Sequence, residues 1–252
     1  MLREAYDWVM SPALPLARKT GHLSEFVAIA ARRRRRQAAW AEHESRTRAF
    51  IERMSATAPP DGIAVVLGAG HVDDTPLNEL AARFETVILV DLPFSLATCR
   101  AAQRLGNVEC WRRDVTESLD ALLDVREPEA FVGDTRIRFV ASVNLLSQLG
   151  VIPTRKMTDE DADALSRQLI EAHLRWLSRF HCPVALITDT AVEIVNRAGT
   201  VTATLDPMKG VTLPPVAETW LWNIAPLGEI DRDHAIRHRV VAIEGQPCRK
   251  RG

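Results

Sequence analysis

The chain lacks an excess of either charge: 32 Lys+Arg stand against 33 Asp+Glu in 252 residues, a formal net charge of −1. That excludes a strongly basic, nucleic-acid-coated protein. It is also poor in cysteine, and Cys99, Cys110, Cys182 and Cys248 lie far apart in no CxxC or Cys/His ligand spacing. A structural zinc motif and a small disulfide scaffold are thereby excluded, no metal is expected, and a reducing compartment, the cytoplasm, is the expected location. No stretch approaches the roughly 20 apolar residues of a membrane span. The N-terminus, with Arg3, Glu4 and Asp7 among its first residues, has no apolar run of signal-peptide length, so neither export nor membrane anchoring is expected. Internal repeats are absent too. At 46% hydrophobic and 26% charged, the chain has the composition of a globular protein large enough to bury a sizeable core.

The near-zero net charge conceals two unlike parts. Residues 1–60 hold 11 basic and 6 acidic side chains, a net of +5, and the remaining 192 residues hold 21 and 27, a net of −6. Residues 22–55 contain no Pro or Gly and place Phe26, Ile29, Ala30, Trp40, Phe50 and Ile51 at roughly helical spacing, which predicts one long helix or two in succession. The segment 56–62, with two prolines and a glycine, ends it. The expected division is therefore a helical N-terminal cap over 1–60 and an α/β domain over 61–252.

From residue 63 short apolar runs alternate with amphipathic stretches. The runs 63–67 and 86–91 are near-continuous in β-branched and aliphatic residues, as in parallel strands covered on both faces, with a helix between them. A second helix after Pro93, strands near 108–111, over 137–143 and 184–189, and a long helix over roughly 159–180 continue the pattern. A hairpin around Asn196 to Gly199 and two late strands predict an antiparallel edge. The fold class expected is α/β, a doubly wound, mostly parallel seven-stranded sheet.

The turn after the first strand carries the strongest chemical signal. Gly68 and Gly70 in LGAG let the backbone pass close to a ligand at the strand's carboxyl end, with the next helix expected to point its N-terminus there. About 20 residues on, Asp91 ends the second strand, where a carboxylate accepts the hydroxyls of an adenosine ribose. The pair implies a nucleoside cofactor. A dinucleotide site wants a third glycine beneath its pyrophosphate, and that position holds Asp73, followed by Asp74. Two acids there repel a pyrophosphate and favour a cationic or zwitterionic ligand.

On the strength of LGAG (67–70), LVD (89–91), RRDVT (112–116), SVNLLSQL (142–149) and the late strand pair, residues 60–245 resemble the class I S-adenosylmethionine-dependent methyltransferases. The resemblance implies a Rossmann-like sheet and S-adenosylmethionine as cofactor. Gly68, Ala69 and Gly70 would line its methionine part, Asp91 would bind the ribose, and Leu92 would pack on the adenine. Asp114 would sit at the adenine amino group with the Val115 backbone beside it, and Ser142 to Asn144 would lie near the transferable methyl. The LGAG turn with its nearby acidic pair also looks somewhat like the carboxyl-methylating branch. The chain departs from the pattern at Val66 and Val72, where many members have an acidic residue and a glycine.

Methyl transfer needs alignment more than a catalytic triad. Asn144 is the first candidate for orienting the acceptor, with Ser147 and Gln148 read as the start of the following helix. His43, which shares a helix face with Trp40 and would roof the pocket, and His71, within the glycine turn, are the candidates for removing a proton near neutral pH. His234 and His238 are expected solvated or paired with Asp231 and Asp233. Trp220 and Trp222 alternate on one strand and are expected to pack a helix. The run Arg32 to Arg36 spans more than a helical turn and is expected to be a solvated segment. The expected function is methyl transfer to a small-molecule acceptor, with nucleic acid not expected as a partner and a homo-oligomer left open. The competing classes are a non-catalytic methyltransferase-like ligand-binding or adaptor protein, an RNA methyltransferase and an NAD(P)-dependent oxidoreductase.

Overall fold

The computed structural model describes residues 2–122 and 124–245, so Cys248 and the rest of 246–252 lie outside the described residues. The N-terminal part comprises α1 (Leu2–Met10), α2 (Pro15–Thr20), α3 (His22–Arg35) and α4 (Gln37–Ala56). Of the two arrangements expected for 22–55, two helices in succession is the observed one, the break falling at Arg36, whose backbone (φ −123°, ψ 29°) leaves the helical region.

The apolar runs form strands with the expected limits: β1 (Ile63–Leu67), β2 (Thr86–Asp91) and β4 (Ile137–Val143). The remaining elements are α5 (Leu77–Arg83), α6 (Leu96–Leu105), β3 (Val108–Arg112), α7 (Asp159–Ser178), β5 (Val184–Asn196), β6 (Val201–Leu205), β7 (Glu218–Ala225) and β8 (His234–Gly245). Strand order is β3-β2-β1-β4-β5-β8-β7, parallel from β3 to β5 and antiparallel for β8 and β7. This is the expected doubly wound, mostly parallel Rossmann-like sheet with an antiparallel edge. The count differs from the expected seven: β5 runs on past Asp189 for a further seven residues and turns back as β6, an eighth strand that pairs only with β5.

Each sheet face has its own core. One packs Trp40, Phe50, Ile51 and Met54 of α4 with Leu80, Ala102, Phe139, Trp220 and Trp222; the other packs Leu165, Leu169 and Trp176 of α7 against Val65, Val140 and Leu186. The cap is thus part of the main core through α4. Trp220 and Trp222 face α4 together, as their alternation requires.

The cap is also fixed by charge. The arginine run, expected to be solvated, is engaged along its length: Arg33 bonds Glu44 at 2.5 Å and meets Asp73 at 3.2 Å, and Arg34 meets Asp7 at 3.1 Å. Arg35 and Arg36 both bond Glu229, with Arg32 Nε 3.8 Å away. Glu229 lies in the β7–β8 loop with only 4% of its side chain exposed. One buried carboxylate thus ties the break between α3 and α4 to the antiparallel edge, a geometry that loose surface ion pairs lack. Glu229→Ala should therefore lower the unfolding free energy by about 1.5–3 kcal/mol, the range for hydrogen bonds to charged groups, with a smaller loss at high salt. Urea denaturation at two ionic strengths checks this; an unchanged midpoint at low salt contradicts it.

Candidate functional site

A cavity of about 470 Å³ lies at the carboxyl ends of the parallel strands, between the sheet and the cap. Its floor includes Gly68, Gly70, Asp91, Leu92, Asp114, Val115 and Asn144; its roof includes Phe26 and Ile29 from α3 with Trp40 and His43 from α4. At one end, the backbone around Ala13 bridges Pro93, with Leu14 N donating to Leu92 O and Phe94 N to Pro12 O.

The glycine turn is as tight as the sequence suggests. A Cβ on Gly70 would lie 2.6 Å from Phe26, 2.8 Å from Pro93 O and 3.0 Å from Asp91 Oδ2. Gly68 has φ +79°, and a Cβ there would meet Val143 O at 2.6 Å. Val72, where the resemblance would have a glycine, keeps a glycine-like backbone at φ +50°, an unusual conformation for a β-branched residue. The helix α5 does not start at this turn: it begins at Leu77, and Asp73 and Asp74 lie in the loop ahead of it. Ala69 is 1% exposed and joins the core instead of lining the cavity.

Asp91 accepts from Leu92 N at 2.7 Å and Gly70 N at 2.9 Å. Burial nevertheless pushes its pKa up to about 7, with the two amides opposing the shift. Asp114 is committed to its own loop: Thr116 N and Oγ1 donate to Oδ1, and Ser118 N and Leu119 N donate to Oδ2. Four donors fill the roughly four lone-pair positions of a carboxylate, so Asp114 shapes the cavity floor beside Val115. Ser142 turns away altogether: it is fully buried on the α7 side, 3.0 Å from His173 Nε2. The face of β4 toward the cavity is carried by its neighbour Val143.

Asn144 has φ +49°, a left-handed conformation that asparagine tolerates. Its Nδ2 donates to Asp74 Oδ2 at 2.7 Å and lies 3.0 Å from His43 Nε2. Trp220 Nε1, which can only donate, points at His43 Nδ1 from 3.1 Å. The neutral His43 ring must then carry its proton on Nε2, facing the Asn144 amide nitrogen, and two donors are in contact. The conflict is relieved when Asp74 is protonated, because Asn144 can then turn its unpartnered Oδ1 to receive both the His43 N–H and the Asp74 O–H. Burial pushes His43 down to about 4, keeping the ring neutral, and pushes Asp74 up to about 6, with neighbouring Asp73 adding to the rise.

His71, the other proposed base, serves the cap. Its ring stacks on Phe26 at 3.7 Å, its Nε2 lies 3.1 Å from Phe26 O, and burial lowers its pKa to about 4. Ser147, in a single 3-10 turn over Leu146–Gln148, donates to Asp189 Oδ2 at 3.1 Å.

Of the two late histidines, His234 pairs with Asp231 at 3.2 Å as expected, while His238 does not. His238 is 8% exposed on the cavity wall, with Nδ1 2.9 Å from Asp189 Oδ2. The pair is within reach but not aligned as a hydrogen bond. Sequence reasoning missed this dyad for a local reason. Asp189 and Val192 are three apart and would face opposite sides of a regular strand; a bulge between Asp189 and Ala191 turns both toward the cavity.

Among the described residues no group of three or more His, Cys, Asp or Glu is placed to hold a metal, and no helix is long and apolar enough to cross a membrane. No family model and no curated protein matches the chain. Solved structures do. An rRNA methylase from Streptococcus thermophilus is 19% identical over 80% of this chain and 96% of its own, with a TM-score of 0.37. The DhpI–SAH complex is 15% identical over 88% and 96%, with a TM-score of 0.34. An O-methyltransferase family protein from Burkholderia thailandensis is 13% identical over 99% of this chain and 69% of its own, with a TM-score of 0.41.

The Asp74 network predicts a pH signature. A carboxyl whose folded pKa is raised to about 6 holds its proton more tightly in the folded state, so its contribution to stability is lost as pH rises from about 4 to about 6. Asp74→Asn removes that loss. The variant should gain about 1–2 kcal/mol on the wild type between pH 4 and 7. Denaturation across that range tests it, and a constant difference contradicts it.

Proposed function

We propose that the cavity binds S-adenosylmethionine and that the protein transfers its methyl group to a small-molecule acceptor. The observation that carries this reading is the juxtaposition of the Gly68–Gly70 turn with Asp91, a carboxylate on the cavity wall that has backbone donors and no cationic partner. Its two oxygens can accept a ribose diol, and Leu92 beside it offers an apolar surface to a base. When bound, the cofactor supplies a methyl group already activated on a sulfonium, so what remains for the protein is binding, orientation and exclusion of water.

The electrostatics favour such a ligand over a dinucleotide. Asp74, Asp91 and Asp189 line the cavity without a guanidinium partner, whereas Asp73 and Glu44 at its edge are held by Arg33. A pyrophosphate would meet uncompensated carboxylates; a sulfonium and an ammonium would be stabilised by them. Asn144, at the end of β4, would orient the acceptor. A small acceptor suits a cavity roofed by the cap, and the arginine run, already engaged by carboxylates, is not gathered for phosphate contacts.

Calorimetric titration tests the reading. S-adenosylhomocysteine should bind and NAD should not, and Asp91→Ala should weaken the nucleoside by about tenfold or more, the loss of a hydrogen bond to a charged group. Because an ionised Asp91 is the better acceptor for two hydroxyls and its pKa is about 7, affinity should rise from pH 6 to pH 8. Absence of binding by folded protein, or an Asp91→Ala variant of unchanged affinity, refutes it.

A further inference from the structure

We infer that the antiparallel edge of the sheet forms the acceptor subsite, that its ligand is a hydroxyl group carried on an apolar body, and that His238 takes the hydroxyl proton. This rests on the methyl-transfer reading above but stands on a different part of the cavity. The bulge in β5 and the pairing of β8 between β5 and β7 set Asp189, His238 and Trp222 side by side: His238 is opposite Val192 on one flank and Trp222 on the other. All three are buried, at 1%, 8% and 7% exposure, and all three line the cavity.

Each has hydrogen-bonding capacity that the protein leaves unused. Trp222 Nε1 and Asp189 Oδ1 are buried with no partner among the described residues. His238 Nδ1 is held toward Asp189 Oδ2, which Ser147 Oγ also contacts, and Nε2 bonds no described residue. Leaving a buried indole N–H without a partner is unfavourable, so the arrangement calls for a ligand atom with a lone pair. The neighbouring imidazole nitrogen calls for a proton. The two rings lie edge to face with centroids 5.5 Å apart, and a hydroxyl has both the lone pair and the proton that they call for, whereas an ammonium has no lone pair for the indole. Around these groups the wall is apolar, formed by Val192, Ile224, Ile230 and Ile236, which selects an alcohol or phenol over a charged acceptor.

The transfer then balances without a further reactant. The acceptor's O–H bond breaks and its proton goes to His238 Nε2, while an oxygen lone pair forms the new bond to the methyl carbon. The carbon–sulfur pair remains on sulfur. The positive charge that leaves the sulfonium reappears on His238, where Asp189 stabilises it. The charged or titratable groups facing His238 are Asp189 from β5 and His43 from α4, which is neutral.

The test uses 4-nitrophenol, whose ionised form is coloured, with the full chain and S-adenosylhomocysteine. The wild type should bind the phenol and lower its apparent pKa by about one unit or more. His238→Gln should bind it without that shift, and Asp189→Asn, a second variant against misfolding of the first, should show a reduced shift; circular dichroism confirms that each is folded. No binding of 4-nitrophenol to the wild type, or an equal shift in wild type and His238→Gln, overturns the proposal. If S-adenosylhomocysteine fails to bind while the His238-dependent shift persists in protein alone, the cofactor reading fails and the subsite stands.

Discussion

Three carboxylates on the wall of one cavity, without a guanidinium to neutralise them, are the constraint around which the rest of the molecule is arranged. Taking a carboxylate out of water is expensive, and the effect is visible in Asp74 and Asp91, which burial pushes up to about 6 and about 7. The cap has arginines in reach of this region, yet they go to Glu44, Asp73 and Glu229 at its edges. The +5 of the cap and the −6 of the body therefore do not cancel in the cavity itself. What is left there is a potential that favours a positively charged ligand.

The cap holds that environment closed. The Gly70 backbone sits so near Phe26 that no side chain fits between them. His71 then stacks on the same phenylalanine and bonds its carbonyl. On the other side, His43 stacks on Trp222 at 3.9 Å while Trp40 meets Trp222 edge-on. Glycine turn, cap and antiparallel edge are thus one packed unit, and a residue that reads as a catalytic histidine in sequence, His71, serves to keep the roof in place.

The parts of this arrangement that are local were legible in the sequence. Continuous aliphatic runs mark β1, β2 and β4 to the residue, and the glycine turn with Asp91 marks the cavity, because both depend on periodicity and short-range spacing. What escaped depends on facing and on distant partners. Ser142 faces α7 from within β4, while Asn144, just past the end of β4, reaches the cavity through a left-handed backbone, and Ala69 differs from its flanking glycines by a turn into the core. Asp114 looks like a ligand residue until its four loop donors are counted. The Asp189–His238 pair hangs on one inserted residue in β5, a bulge that leaves no trace in composition. The arginine run looks solvated because Glu229 lies nearly two hundred positions away.

The most direct measurement is a crystal structure of the protein with S-adenosylhomocysteine. The ribose hydroxyls should lie on the Asp91 carboxylate beside Gly68 and Gly70, with the sulfur directed toward the Asn144 side of the cavity. A nucleoside bound elsewhere, or bound in the cavity with no contact to Asp91, would contradict the assignment.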